Sequence, residues 1–80
     1  YFLEGRGKYK QHHHEYIVYH LEDKIQEHIE KYEQENDFLS ARIYTLLILN
    51  YMVLENPQRS HYYLRRLQII TKQLDSAYLQ

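Results

Sequence analysis

Histidine is the residue type in this sequence whose clustering comes closest to a chemical site. His12, His13 and His14 are adjacent, and His20 and His28 follow in the same stretch. A helical zinc site typically has two histidines four residues apart, and a di-iron bundle needs a glutamate three residues before a histidine. Neither spacing occurs among the six histidines, so the sequence predicts no metal and no other cofactor.

Residues that could act as nucleophiles are present but are not arranged for catalysis. The chain has no cysteine, and its hydroxyl residues lack the glycine-framed turn that exposes a nucleophile. The segment Gly5 to Lys8 has two glycines, but no serine or threonine follows its lysine as a phosphate-binding loop requires. The sequence therefore predicts a protein that is not an enzyme. The hydroxyl residues concerned are Ser40, Thr45, Ser60, Thr71 and Ser76.

Tyrosine dominates the aromatic content, with ten tyrosines against two phenylalanines and no tryptophan. A tyrosine ring buries apolar area and keeps a polar tip, which suits partly wet cores and contact surfaces. With 44% hydrophobic and 26% charged residues, the chain is too apolar for a disordered protein. Its 80 residues are enough for one small domain.

Charge is unevenly divided along the chain. Residues 15–37 carry eight acids and two bases, a net charge of −6, whereas residues 55–80 carry two acids and four bases, a net charge of +2. Two explanations stay open. The two segments can lie side by side and neutralise each other, or the acidic segment can meet a basic partner.

The longest apolar run extends from Ile43 to Leu54 and is too short for a membrane span, which needs about 20 residues. No signal peptide is recognised, and together with the absence of cysteine this favours an intracellular protein. The sequence begins with Tyr1 rather than methionine. We therefore expect that an upstream part was removed or that the chain belongs to a longer protein.

Hydrophobic periodicity predicts a first helix over residues 11–35, preceded by a flexible lead-in at residues 1–10. The helical stretch contains neither glycine nor proline, and its apolar residues recur at steps of three and four. Its acids, Glu22 among them, are assigned to the outer, solvated faces. The apolar stripe consists of Val18, Leu21, Ile25, Ile29 and Tyr32.

Two breaks, Asn36-Asp37 and Asn56-Pro57, bound a second helix over residues 38–55 and a third over residues 57–78. Either residue of the first break can cap the second helix, and Asn56 can cap the third, with Pro57 at its first position. The third helix has one apolar stripe, whereas the second is apolar on every side and must be buried by neighbours. The sequence thus predicts an all-α fold, a three-helix antiparallel bundle that forms a single helical domain over residues 11–80.

A pattern of aromatic, leucine and small residues joins the second and third predicted helices. It consists of Tyr44, Leu47, Tyr51, the turn at residues 55–57, Ser60 and Leu64. In these positions residues 41–74 resemble a single tetratricopeptide repeat, a helical hairpin of 34 residues. Such a hairpin cannot bury both of its faces, which is why these repeats stack.

The chain also departs from the tetratricopeptide pattern. Ile48 replaces the family's glycine, Leu67 replaces an alanine, and Lys72 replaces the closing proline. Ile48 and Leu67 predict wider helix packing than the family shows. An ordinary antiparallel helical hairpin explains the same residues, so both interpretations stay open.

Three helices of this length are not expected to cover so apolar a second helix. We expect it to be completed by a second copy, by the rest of a longer chain or by a partner's helix. The predicted function is a non-enzymatic helical protein–protein interaction module, and the tetratricopeptide resemblance implies an assembly or regulatory scaffold. Burial of the tyrosines in the domain's own core stays open. The predicted contact residues are Tyr44, Tyr51, Tyr62, Tyr63, Arg65, Arg66, Leu46, Leu49, Met52 and Val53.

The alternative function is nucleic-acid binding by the third helix, where cations alternate with aromatic residues. Its phosphate contacts would come from Arg59, Arg65, Arg66 and Lys72. The isoelectric point of about 6.6 and the acidic first helix oppose this alternative, because both repel a phosphate backbone.

Overall fold

A computed structural model of the chain describes the backbone of residues 2–79 and the side chains of residues 12–76. Its described residues form three helices: α1 (Phe2–Tyr32), α2 (Phe38–Val53) and α3 (Pro57–Leu79). The predicted all-α fold class is confirmed. Contacts between the helices show that α1 and α2 run antiparallel, since His14 in the first half of α1 lies 2.6 Å from Asn50 near the end of α2.

α1 is longer at its amino end than predicted. It begins at Phe2 rather than near residue 11, so the backbone of the expected lead-in continues the helix. Gly5 and Gly7 each cost only about 1 kcal/mol in a helix, and no proline interrupts the segment. The flexibility expected of residues 1–10 stays a prediction, because Tyr1 and the side chains of residues 2–11 lie outside the described part.

α1 ends at Tyr32, three residues before its predicted end. The reason is local, because Glu33 has a left-handed conformation with φ of 50°, which a helix does not tolerate. Asp37 is the residue of the first break that caps α2, and its Oδ1 accepts a hydrogen bond from the Ser40 N–H at 2.8 Å. The cap fixes where α2 begins.

α2 ends at Val53, two residues earlier than predicted, in a Schellman motif. Glu55 has φ of 56°, its N–H donates to the Met52 carbonyl, and the Asn56 N–H donates to the Tyr51 carbonyl at 2.9 Å. Asn56 then caps α3 as predicted, since its Oδ1 accepts a hydrogen bond from the Arg59 N–H at 3.2 Å. The turn therefore ends one helix and starts the next within three residues.

The hydrophobic core lies along one side of α2. Leu47 of α2 and Ile70 of α3 are its most completely buried apolar residues. The predicted stripe of α1 is partly confirmed: its middle residues pack in or against the core, but Tyr32 is exposed where the helix ends. The buried apolar residues are Val18, Ile25, Ile43, Tyr44, Leu47, Tyr51, Tyr63 and Ile70.

α2 is the helix shared by the two others. Within the described residues no Cα atom of α1 comes within 8 Å of a Cα atom of α3, so only α2 packs closely against both. The radius of gyration is 15.0 Å, against about 11.6 Å for a compact chain of this length. The accessible surface is 6696 Å², against about 5,200 Å² for a compact protein of this mass. The three helices thus form an elongated bundle in which α2 packs against both of the others.

Candidate interaction surface

The two sides of α2 differ in burial although both are apolar. The inward side is buried against α1 and α3, and its buried residues are Ser40, Ile43, Tyr44, Leu47 and Tyr51. The opposite side faces solvent, and its apolar side chains are between 45% and 62% exposed. We define the outward face of α2 by these residues: Leu39, Leu46, Leu49, Met52 and Val53.

Two polar residues lie among the outward face. Thr45 satisfies its hydroxyl locally, because Oγ1 donates to the Ala41 carbonyl at 2.8 Å. Arg42 is exposed, and it forms no ion pair with any other side chain in the described part of the chain. The outward face is therefore a continuous apolar row that contains a single, unpaired cation.

A groove borders the outward face on each side. The groove between α1 and α2 has a volume of about 400 Å³. It is lined by His20, Leu21, Lys24, Glu27, His28, Lys31, Tyr32, Leu39 and Ile43. The groove between α2 and α3 has a volume of about 430 Å³. It is lined by Ile48, Met52, Glu55, Asn56, Pro57, Ser60, His61 and Leu64.

Behind α2, three tyrosines form a stack that joins α2 to α3. The Tyr63 ring lies 5.5 Å from that of Tyr44 and 5.9 Å from that of Tyr51, with interplanar angles of 26° and 16°. Stacked aromatic pairs of this geometry contribute about 0.5–1.5 kcal/mol beyond their buried area. We call these three residues the tyrosine stack.

Glu22 of α1 accepts hydrogen bonds from both neighbouring helices. Its carboxylate receives the Tyr51 hydroxyl at 3.0 Å, the Tyr63 hydroxyl at 2.5 Å and Nη1 of Arg59 at 3.0 Å. Burial and the Glu22 carboxylate raise the pKa of both tyrosines, which therefore stay protonated as donors. Glu22 thus fastens α1 to α2 and α3.

The assignment of Glu22 to a solvated outer face of the first helix is wrong. Glu22 lies four residues after Val18 and three before Ile25, so it is part of the buried stripe. The tyrosine hydroxyls reach this position, and a carboxylate on a buried stripe needs such donors. The spacing alone would have revealed the position of Glu22, but not its partners on α2 and α3.

We call Glu22 with its hydrogen-bond donors the first polar anchor. Glu35, in the connection between α1 and α2, forms the second. It accepts two hydrogen bonds from Arg66, each at 2.6 Å, and one from the Tyr44 hydroxyl at 2.6 Å. Partial burial opposes ionisation of Glu35, but the bonds from Tyr44 and Arg66 outweigh it and lower its pKa. Burial and Glu35 together raise the pKa of Tyr44 to about 12.

The two anchors also bear on the uneven charge along the chain. Glu22 pairs with Arg59 and Glu35 pairs with Arg66, so acids of the first segment neutralise bases of α3. This is the neutralisation expected in the first explanation, although within the described residues α1 and α3 do not pack side by side. Asp23, Glu27 and Glu30 of α1 are exposed, and contact between them and a basic partner stays a prediction.

His28 is partly buried beside the apolar stripe of α1 and is hydrogen-bonded. Its Nε2 lies 2.7 Å from Oδ2 of Asp37, the residue that caps α2. Burial opposes ionisation of Asp37, but bonds to the Ser40 N–H and His28 outweigh it and lower the pKa. Among the side chains that the structure describes, no group of three or more histidines and acids is placed to hold a metal ion.

The predicted contact residues fall into two groups. Tyr44, Tyr51 and Tyr63 are buried in the chain's own core, which is the alternative that the sequence left open. Arg66 is bound to Glu35, and its guanidinium lies over the Tyr62 ring at 5.8 Å. The other predicted contact residues are exposed: Leu46, Leu49, Met52, Val53, Tyr62 and Arg65.

The cations of the nucleic-acid alternative are also divided. Arg59 and Arg66 are engaged by Glu22 and Glu35, whereas Arg65 and Lys72 are exposed on α3. Arg65 donates to the neighbouring His61 ring at 3.2 Å. Half of the predicted phosphate contacts are therefore already neutralised within the chain.

Comparisons of the chain with family models, curated proteins and solved structures give no match, so the structure's own geometry is the basis for a functional proposal. Within the described residues, none of the helices combines the length and the apolarity needed to cross a bilayer. The geometry defines a small helical protein in which the inward side of α2 is buried and held by Glu22 and Glu35, and the apolar outward face is exposed.

Proposed function

We propose that this chain is a non-enzymatic helical interaction module that assembles with another protein surface through the outward face of α2. One observation carries the proposal: the central helix, which should be the best covered of the three, leaves five large apolar side chains about half exposed in one row. Exposed apolar rows of this kind, bordered by polar residues, mark protein contact sites.

The size of the outward face suits a contact of moderate strength. Covering the exposed half of a leucine, methionine or valine stabilises a complex by about 1 kcal/mol for each side chain. Five such side chains offset a substantial part of the cost of association, which is about 4–15 kcal/mol. The two bordering grooves add concave surface that can receive side chains of the bound protein.

Scaffolding of the tetratricopeptide kind is the more specific form of the proposal. Two features of the α2–α3 hairpin support it. Ser60, at the family's small-residue position, approaches α2 closely enough for its Oγ to lie 3.4 Å from the Ile48 carbonyl. Tyr44, Leu47 and Tyr51 all point into the core of the hairpin. An unstacked hairpin of this kind has a free face, which here is the outward face of α2.

The proposal is tested by comparing proteins bound to the immobilised chain with those bound to two variants. Leu46→Glu places a charge in the outward face, and Ile69→Glu places the same charge at an equally exposed position of α3 that lines neither groove. We expect proteins, or further copies of the chain, to be retained by the wild type and by Ile69→Glu and lost with Leu46→Glu. Equal retention by all three would contradict the proposal.

Nucleic-acid binding through α3 is the competing function, and a salt titration separates it from helix packing. Binding through phosphate contacts weakens steeply as salt rises, whereas apolar packing changes little. The exposure of Arg65 and Lys72 supports this alternative, and the engagement of Arg59 and Arg66 opposes it. Loss of binding with Arg65→Ala but not with Leu46→Glu would favour nucleic acid over protein.

A further inference from the structure

The outward face of α2 has the spacing of a coiled-coil seam. Leu39, Leu46 and Val53 follow one another at steps of seven residues. Arg42 lies three residues after Leu39, and Leu49 lies three residues after Leu46. This alternation of three- and four-residue steps is the heptad pattern by which one helix packs along another. The inward side of α2 has such a seam too, and α1 and α3 cover it. The outward seam is the one without a partner helix in the described chain.

Two unpaired charges stand near opposite ends of this seam. Arg42 lies near the amino end of α2 and Glu55 just after its carboxyl end, and both are exposed. Neither side chain forms an ion pair within the described part of the chain. Arg42 lies eleven residues before Val53, about 16 Å along the axis of α2, and Glu55 follows two residues after that end.

This arrangement is complementary to itself when two copies of α2 lie antiparallel. In this arrangement Leu46 of one copy lies beside Leu49 of the other copy. Arg42 of the first copy then lies beside Val53 of the second copy. From there it reaches Glu55 of the second copy, two residues further along the chain. Arg42 then also faces the carboxyl end of a helix, where the dipole favours a cation. In a parallel pair the two Arg42 side chains would instead lie side by side and repel each other.

We propose that the outward face of α2 binds a second copy of this chain, with the two α2 helices antiparallel about a two-fold axis. This inference rests on the proposed function and names the molecule that the outward face of α2 binds. Arg42 and Glu55 form two symmetric ion pairs that set the direction of packing, and the leucines and Val53 form the apolar seam. Twofold symmetry of this kind uses one surface patch twice, which a single self-complementary helix face satisfies.

The first experiment is light scattering behind a sizing column over a range of concentrations of the purified chain. We expect a mass of about twice 10.0 kDa that falls towards 10.0 kDa on dilution. Leu46→Glu is expected to give a monomer with unchanged helical circular dichroism, and Ile69→Glu to dimerise like the wild type. A monomer at every concentration, or a dimer that survives Leu46→Glu, would overturn the proposal.

A charge-exchange experiment tests the antiparallel arrangement and does not depend on the apolar variants folding. Arg42→Glu and Glu55→Arg are each expected to weaken dimerisation about tenfold by placing like charges together. The double variant Arg42→Glu with Glu55→Arg restores the pairs and should return to within about threefold of the wild type. Additive weakening in the double variant would overturn the arrangement.

The two proposals fail separately. The chain could be monomeric and still retain other proteins that Leu46→Glu releases. In that case the proposed dimer is wrong and the proposed interaction module stands. If neither self-association nor the retention of other proteins depends on Leu46, both proposals fail.

Discussion

The two sides of α2 are equally apolar and have opposite environments. Leu47 is fully buried on the inward side, and its neighbour Leu46 is 45% exposed on the outward face. The inward side differs in carrying Tyr44 and Tyr51, whose hydroxyls need acceptors when the rings are buried. Glu22 and Glu35 supply those acceptors.

This difference shows how α1 and α3 select one side of a helix that is apolar all round. Burial of leucine, methionine or valine needs only a cover of matching shape, whichever side is covered. The tyrosines need a cover with correctly placed carboxylates, which Glu22 of α1 and Glu35 of the α1–α2 connection provide. The outward face has no tyrosine and can therefore be covered by an apolar surface of another molecule.

The largest expected effect separates the two sides directly. Leu47→Ala should lower the free energy of unfolding by about 2–5 kcal/mol, because it leaves a cavity in the core. Leu46→Ala, measured by urea unfolding of dilute monomer, should change it by no more than about 0.5 kcal/mol. Equal losses at the two positions would mean that both sides of α2 are buried in the folded monomer.

The next effect tests whether the polar anchors secure the inward side. Glu22→Ala leaves two tyrosine hydroxyls and Arg59 without their shared acceptor, and should lower the free energy of unfolding by about 1–3 kcal/mol. Asp23→Ala, next to it on the exposed side of α1, is the matched control and should have little effect. Similar losses in both variants would indicate a general effect of charge instead of a specific anchor.

Acid should weaken the contacts that hold the inward side of α2. The lowered pKa values of Glu35 and Asp37 mean that their contributions to stability are complete above the unfolded values near 4. These contributions are lost as the pH falls further, through the pKa values of the folded state. Urea unfolding across this range should show the loss, and Glu35→Gln should reduce its size. If neither Glu35→Gln nor Asp37→Asn changed the loss of stability in acid, that loss would not come from these two carboxylates.

Alkali should act on the tyrosine stack. Burial and Glu35 raise the pKa of Tyr44 to about 12, above its unfolded value of about 10. A group of this kind contributes stability that is complete below the unfolded pKa and is lost as the pH rises through the folded value. Ultraviolet absorbance of tyrosinate should therefore include a phase from the tyrosine stack that lies above the ordinary tyrosine pKa. A single phase at the ordinary pKa would contradict burial of the stack.

The smallest expected effect concerns Ser40, at the amino end of the inward side. Its hydroxyl is fully buried and has no hydrogen-bond partner within the described residues. Removing it by Ser40→Ala should raise the free energy of unfolding by about 1 kcal/mol, because an unsatisfied polar group is replaced by an apolar one. Ser60→Ala, whose hydroxyl lies 3.4 Å from the Ile48 carbonyl, should bring no gain. If Ser40→Ala instead lowered the free energy of unfolding, the Ser40 hydroxyl would have a hydrogen-bond partner.

Local signals in the sequence determined the three helices and the starts of α2 and α3. Asn56 and Pro57 act at the start of α3 as the sequence predicts, because capping depends on residues within one turn of each other. The apolar stripes of α1 and α3 likewise place Val18, Ile25, Tyr63 and Ile70 in the core. Left-handed residues such as Glu33 and Glu55 gave no signal, since glycine usually occupies that conformation.

Tertiary structure alone decided which side of α2 is buried and which carboxylates hold it. The sequence of α2 has no periodicity to mark an inward side, since Leu46 and Leu47 are chemically identical. The hydrogen bonds of Glu22 and Glu35 join residues between 9 and 41 positions apart. Periodicity gives the direction of a side chain around its own helix, but the identity of its partner depends on how the helices are placed in space. The sequence thus determined the three helices, and their packing decided that Leu47 is buried with Tyr44 and Tyr51 while Leu46 is exposed.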